Sequence, residues 1–258
     1  MKKIYFLLIA ALVLSCNESK KQEPPKNTDW LADNLSGKVE QTTGTTYKVD
    51  STGKIGEQDS CCVVSTKYDE KGYSSAYSSV NKAGTEKNES TFTHDENGLF
   101  TGQTSTKNGK PSSSLKVQSK DGKFSDAQSF DSTNKMDFYF TDITSNDYGH
   151  VTALKQFKPD STLKMTVTIS YDRQFYKGEV VTDSVGKETY SANETLDDKN
   201  NVIESMEKTT IKDSTTNKIT KYRYDSYDDK GNWTQRTETD ENGKPVKIVK
   251  RAITYYKE

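Results

Sequence analysis

From Lys38 onward the chain is cut by turn-forming clusters about 11 to 15 residues apart, a rhythm that leaves strands of roughly 7 to 10 residues and no interval suited to a long helix. The clusters are Asp50 to Lys54, Asp69 to Gly72, Asn81 to Gly84, Asp95 to Gly98, Asn108-Gly109, Asp121-Gly122, Asp131 to Lys135 and Asn146 to Gly149. Pro159-Asp160, Asp172 to Gln174, Asp183 to Gly186, Asp197 to Asn201, Asp213 to Asn217, Asp228 to Asn232 and Asn242-Gly243 complete the series. Asn97-Gly98, Asn108-Gly109, Asp121-Gly122 and Asn242-Gly243 predict type I′ hairpin turns, whose two central residues both need positive φ. Antiparallel pairing of neighbouring strands follows.

Between turns the side chains alternate. Met165, Val167, Ile169 and Tyr171 fall on one side of an extended segment, and Lys164, Thr166, Thr168 and Ser170 on the other, the pattern of a half-buried strand. Met136, Phe138 and Phe140 share a side, as do Val249, Arg251, Ile253 and Tyr255. Pro111, Pro159 and Pro245 stand beside turns, where a missing N–H breaks no ladder. A sheet this wide with one modestly apolar face cannot stay flat. The expected fold is all-β: a long antiparallel meander of repeated β-hairpins, some 14 to 16 strands, twisted and curled toward an open or half barrel. Membrane insertion as a barrel is not expected, because Thr-, Ser- and Lys-rich strands lack an outer apolar band.

Apolar material is scarce. Leu, Ile, Val and Phe make up about 17% of the chain, below the roughly 20% under which disorder is suspected. Disorder also goes with high net charge, whereas here 37 basic residues nearly cancel 38 acidic ones. With regular alternation, that balance predicts an ordered protein with a thin core. A net charge of -1 offers nucleic acid no broad attraction, and none is expected as a partner.

The N-terminus reads as a targeting segment: Lys2 and Lys3, an apolar run from Ile4 to Leu14 too short to span a bilayer, then Ser15 and Cys16. Val13-Leu14-Ser15-Cys16 resembles a bacterial lipobox. That resemblance implies a signal peptide over 1–15, lipidation of Cys16 and a membrane anchored through acyl chains; the other reading is an ordinary signal peptide cut nearby. Residues 16–27 form a polar tether with Pro24 and Pro25, and the hairpin domain occupies 28–258. A short helix is predicted near 28–36, with Thr28 as N-cap, Trp30, Leu31 and Leu35 on one side and Gly37 as its stop, in the role of covering an exposed sheet end.

Tyr227-Asp228-Asp229-Lys230-Gly231-Asn232-Trp233 resembles the tyrosine-aspartate unit of rearrangement-hotspot (RHS, or YD) repeats. Tyr68 to Tyr73, His94 to Leu99 and Leu196 to Val202 are looser copies, the second changing the first residue and the third changing it and losing the Gly. The C-terminal segment is also similar to small lipoproteins of Bacteroidetes-type bacteria. These likenesses imply a β-hairpin fold and an envelope location, and no activity. Physically, the Asp accepts backbone N–H groups, the Gly supplies positive φ and the rings pack on neighbouring hairpins.

Candidate chemistry is sparse. His94 and His150, the two histidines, each flank a turn beside Asp95 or Asp147, and nothing nominates a nucleophile for either. In a strand Cys61 and Cys62 point to opposite faces, so the expectation is one buried and one free thiol, not a bond between them, with pairing to another molecule in an oxidising envelope as the alternative; their spacing is wrong for zinc. Asp95-Glu96-Asn97-Gly98 and Asp240-Glu241-Asn242-Gly243 lack the twelfth-position Glu of a helical calcium loop, with Thr106 and Arg251 there instead. No catalytic residues, metal or cofactor are assigned. Tyr222, Tyr224, Tyr227, Trp233 and Tyr255 are the candidate binding surface for a glycan or peptide.

The leading expectation is a lipid-anchored, non-catalytic envelope scaffold or binder. A rival is a carrier that holds an apolar ligand such as lipid against Met136, Phe138, Phe140, Met165, Val167 and Ile169; an envelope hydrolase using a histidine is third. Asn17-Glu18-Ser19 lacks an acidic cluster linked to surface export, which tilts location to the periplasmic side of the outer membrane.

Overall fold

The computed structural model describes residues 28–257 apart from 51 and 213, so the expected signal peptide, tether and Cys16 lie outside the described residues. A short helix, α1 (Asp29–Ala32), precedes β1 (Val39–Val49), β2 (Ile55–Tyr68), β3 (Ser74–Val80), β4 (Lys87–His94) and β5 (Phe100–Lys107). Next come β6 (Lys110–Lys120), β7 (Lys123–Asp131), β8 (Met136–Ser145), β9 (Val151–Phe157), β10 (Leu163–Asp172) and β11 (Phe175–Asp183). The last are β12 (Glu188–Leu196), β13 (Val202–Ile211), β14 (Ser214–Tyr227), β15 (Trp233–Thr239) and β16 (Pro245–Tyr255).

Each strand pairs antiparallel with the next, as the turn spacing predicts, but the sheet does not stop at an open or half barrel. β1 pairs antiparallel with β16 through Thr42↔Ile253, Gly44↔Arg251 and Thr46↔Val249, closing a 16-stranded barrel. An open sheet would leave two edges of unpaired N–H and C=O groups; closure pairs them, and no turn signal in the sequence announces it.

Paired residues share a face, so the register sorts the wall into lumen and exterior. One lumen row runs Thr42, Thr66, Tyr77, Ser90 and Ser105. Another links Leu115, Ser129 and Phe138, and the row above it links Ala127, Phe140, Gln156 and Met165. The exterior carries Lys67, Lys116, Lys155, Lys221 and Lys250 on the opposite parity. A barrel of 16 strands is too wide for side chains to fill. Buried apolar residues are accordingly few, and the core cluster, Leu35, Val39 and Tyr68 with Trp30, Ile253 and Tyr255 packed on it, lies at one end.

That end is where the chain enters. Segment 28–37 crosses the mouth and is tied to turns from several hairpins. Trp30 N–H donates to the Gly72 carbonyl (3.2 Å) and Trp30 Nε1 to that of Val39 (2.8 Å). Ser74 N–H donates to Asp29 Oδ2 (2.6 Å), Tyr68 OH to Asp33 Oδ2 (2.6 Å) and Asn34 Nδ2 to Asn201 Oδ1 (3.0 Å). α1 is shorter than predicted. It ends at Ala32 because Asn34 takes a left-handed conformation (φ 53°) and Leu35 N–H returns to the Trp30 carbonyl (2.7 Å). Thr28 occupies the N-cap position without a side-chain capping bond.

The turns bring two further corrections and β2 a third. Asn108-Gly109 and Asp121-Gly122 are two-residue turns with positive φ at both positions, but Asn97-Gly98 and Asn242-Gly243 are not. There an Asp two residues earlier accepts two downstream N–H groups and builds a longer loop in which only the Gly has positive φ. The turn expected over Asp213 to Asn217 is displaced: Ile211 pairs with Ser214, and β14 already includes residues 214–217. Cys61 and Cys62 are bonded to each other. They lie where β2 bulges against β1, between Thr45↔Val63 and Tyr47↔Gln58; the bulge breaks the strand alternation on which the expectation of separate thiols rested.

Candidate functional site

Beneath the plug the lumen holds two cavities that share Asp33 and Thr66. The first, about 330 Å³, is walled by Tyr68 from β2, Tyr176 from β11, Glu194 from β12, Tyr224 from β14, Trp233 and Arg236 from β15 and Arg251 from β16, with Ala32 and Asp33 as its roof. Residues from opposite sides of the ring meet here only because the sheet closes. The second, about 410 Å³, has Asp29, Asp33, Tyr77, Phe92, His94 and Phe100 in its wall.

The first cavity is charged. Arg236 Nη2 reaches Glu238 Oε1 (3.0 Å), and its guanidinium lies 4.7 Å from the Tyr222 ring centre and 5.1 Å from that of Trp233. Arg251 Nε donates to the Trp233 carbonyl (2.9 Å), with its guanidinium 3.7 Å over the Trp233 ring. Arg236 Nε and Arg251 Nη2 are buried without a protein partner. Leaving such a donor unmatched costs about 1–3 kcal/mol, more for a charged group. Burial lowers the Arg251 pKa to about 10, and the neighbouring Arg236 charge acts the same way. Burial also raises Asp33 and Glu194; the Tyr68 hydrogen bond opposes the first shift and the Arg236 charge the second. Neither carboxylate forms an ion pair with Arg236 or Arg251 among the described residues.

The predicted aromatic surface divides three ways. Tyr224 and Trp233 line the first cavity, 5.8 Å apart, and Tyr222 stands beside them over Arg236. Tyr227 is 40% exposed, with Lys199 over its ring. Tyr255 belongs to the plug contact: its hydroxyl donates to Asp228 Oδ2 and accepts from Asn232 Nδ2 (2.7 Å). Sequence reasoning missed Arg236, Arg251, Asp33, Glu194 and Tyr176. One signal was present, since Arg251 is a charge in the otherwise apolar row Val249, Ile253, Tyr255, and a charge on a lumen face needs a reason.

His94 stacks on Tyr73 (5.2 Å) and meets Phe100 edge-on, and His150 stacks on Tyr171 (5.0 Å) with its pKa lowered by burial. Among the described residues no hydroxyl or thiol hydrogen-bonds to either ring. No group of three His, Cys, Asp or Glu side chains is placed to hold a metal among those residues.

The architecture defined by these observations is a closed, antiparallel, 16-stranded barrel with one end plugged by its own N-terminal segment. No family model matches the sequence, and no curated protein is similar to it. Among solved structures, a porin-like protein from Bacteroides uniformis is similar over 85% of this chain and 98% of its own, with a TM-score of 0.54 at 13% identity. At that identity the likeness shows the fold alone. A porin-like protein from Bacteroides vulgatus matches 86% of this chain and 100% of its own at 14% identity, with a TM-score of 0.33. The Tc holotoxin pore of Photorhabdus luminescens matches 80% of this chain and 11% of its own at 12% identity, with a TM-score of 0.30. Scores that low carry no argument.

Proposed function

We propose that this chain is a lipid-anchored cell-envelope protein of the Bacteroidetes lipoprotein type, built from hairpins akin to RHS/YD repeats, that binds a small molecule in its lumen and catalyses no reaction. The binding reading rests on one observation: a chamber under the plug whose polar and aromatic walls include buried donors left unmatched by protein. The lipobox ending at Cys16 supports the anchor. The 12 residues from Cys16 to Thr28, at about 3.5 Å each, would keep the plugged end within about 40 Å of a bilayer. The exterior argues against insertion as a membrane barrel, since each outward Lys at mid-depth would cost about 2–4 kcal/mol. On the anchor's sequence context the periplasmic face of the outer membrane is favoured.

Two experiments test this. Cys16→Ala should abolish palmitate labelling and release the protein from membranes; labelling that persists removes the anchor. Native mass spectrometry of the gently purified full chain should find a bound small molecule that Thr66→Phe, which projects into both cavities, expels while the melting curve is kept. A chamber that carries nothing removes the binding reading. The apolar-carrier reading draws on Phe138, Phe140, Met165 and Val167, which the register turns toward the lumen; a co-purified lipid would favour it.

A further inference from the structure

Arg236 and Arg251 each commit one nitrogen to protein, to Glu238 and to the Trp233 carbonyl, and each keeps another buried nitrogen without a partner. Both guanidinium groups pack against the same Trp233 ring, 5.1 and 3.7 Å from its centre, and both residues stand in the wall of the first cavity. The Arg236 charge disfavours that of Arg251, and an anion shared between the two removes both penalties. The fixed, planar fork of a guanidinium matches a carboxylate or phosphate, whose two or more acceptor oxygens can serve both arginines at once. The cavity's own carboxylates do not fill that role. Asp33 is held by Tyr68 OH (2.6 Å), and Glu194 makes no ion pair with either arginine.

We propose that Arg236 and Arg251 together receive the oxyanion of a small organic ligand, its carboxylate or phosphate, while Tyr176 and Tyr224 lie against the ligand's carbon frame. This rests on the reading of the lumen as a binding chamber and adds the chemistry of what enters. Aromatic walls beside a cationic pair suit a ring-bearing acid better than a bare ion.

Calorimetric titration of the full chain in detergent, with glucuronate, glucose 6-phosphate, inorganic phosphate and neutral glucose as probes, tests it. At least one of the two acidic sugars should bind ten times or more tighter than glucose, and which one binds separates carboxylate from phosphate. Inorganic phosphate should compete. Arg236→Met should weaken the acidic probe at least tenfold, and Arg251→Lys, which keeps the charge but loses the fork, should weaken it too, both while leaving the protein folded. Glucose binding as tightly as the acids overturns the oxyanion assignment and leaves the chamber standing. Acidic probes that show no affinity, or affinity untouched by Arg236→Met, also overturn it; a ligand still found by native mass spectrometry would then show that the chamber reading survives alone.

Discussion

The chain contains Asp-Glu-Asn-Gly twice, at Asp95 to Gly98 on the plugged end of the barrel and at Asp240 to Gly243 on the opposite end. Locally the two are the same object. Asp95 Oδ1 accepts from Asn97 N–H and Leu99 N–H (both 2.9 Å), and Asp240 Oδ1 from Asn242 N–H (3.0 Å) and Lys244 N–H (2.9 Å). Gly98 and Gly243 have φ of 81° and 78°. Their surroundings differ completely. A Cβ on Gly98 would run into the Tyr73 ring, and one on Gly243 would meet nothing within 4 Å. The same contrast holds for the fifth turn residue. It is Tyr73, Leu99, His150, Asn201 or Asn232 at the plugged end and Lys54, Thr85, Lys135, Lys187 or Lys244 at the other. Turn chemistry builds both ends alike; the fifth side chain differs, being a ring, an amide or Leu toward the plug and Lys or Thr away from it, where Lys187 Nζ still reaches the Lys212 carbonyl (2.8 Å).

The largest test of that contrast is at the fifth position. Asn232 is 2% exposed and bonds Ser36 N–H (2.7 Å), the Ser36 carbonyl (2.9 Å) and Tyr255 OH (2.7 Å). Asn232→Leu should cost about 3–4 kcal/mol in urea unfolding followed by tryptophan fluorescence, because several buried partners are orphaned together. Lys244→Ala should stay within about 0.5 kcal/mol; equal losses would dissolve the distinction between the ends. Next comes the shared glycine. Gly243→Ala should cost about 1–2 kcal/mol, the left-handed penalty alone, and Gly98→Ala about 2–4 kcal/mol because Tyr73 must also move. Should the two alanines cost the same, the plugged end is looser than described.

The smallest effect is in pH dependence, and its sign separates the ends. Burial raises the Asp33 pKa above 3.8, so its charging destabilises the folded state as pH climbs through the raised value. Asp33→Asn, which can still accept from Tyr68, should therefore gain on the wild type as pH rises from 4 upward. At the opposite end, hydrogen bonds from the Thr133 hydroxyl and from the Lys135 and Thr133 amides hold Asp131 below 3.8. Its contribution is present above 3.8 and lost as pH falls through the lowered value, so Asp131→Asn should lag the wild type at neutral pH and draw level in acid. Parallel curves for the two variants would mean that Asp33 is solvated like a turn residue.

Much of this was legible in advance. The turn clusters and the alternation of Met165 to Tyr171 are short-range consequences of φ preference and side-chain parity, and they dictate an antiparallel meander of this strand number. The same parity put Val249, Arg251, Ile253 and Tyr255 on one face, so the lumen row of β16 could be read before the lumen was known. The binding surface could not. Tyr224 and Tyr255 look equivalent along the chain, yet one lines a cavity and the other pins the plug, because their partners arrive from residues far away in sequence.

By itself, then, the sequence determined the hairpins, their pairing order and the wet and greasy sides of each strand, since all three depend on residues within a turn or a strand of one another. Only the tertiary structure decided that β1 meets β16, that segment 28–37 stops one mouth and that two arginines share one chamber. The physical reason is range: edge closure and the burial of Arg251 are set by contacts among strands that turn chemistry cannot encode, and they exist only once the sheet has come full circle.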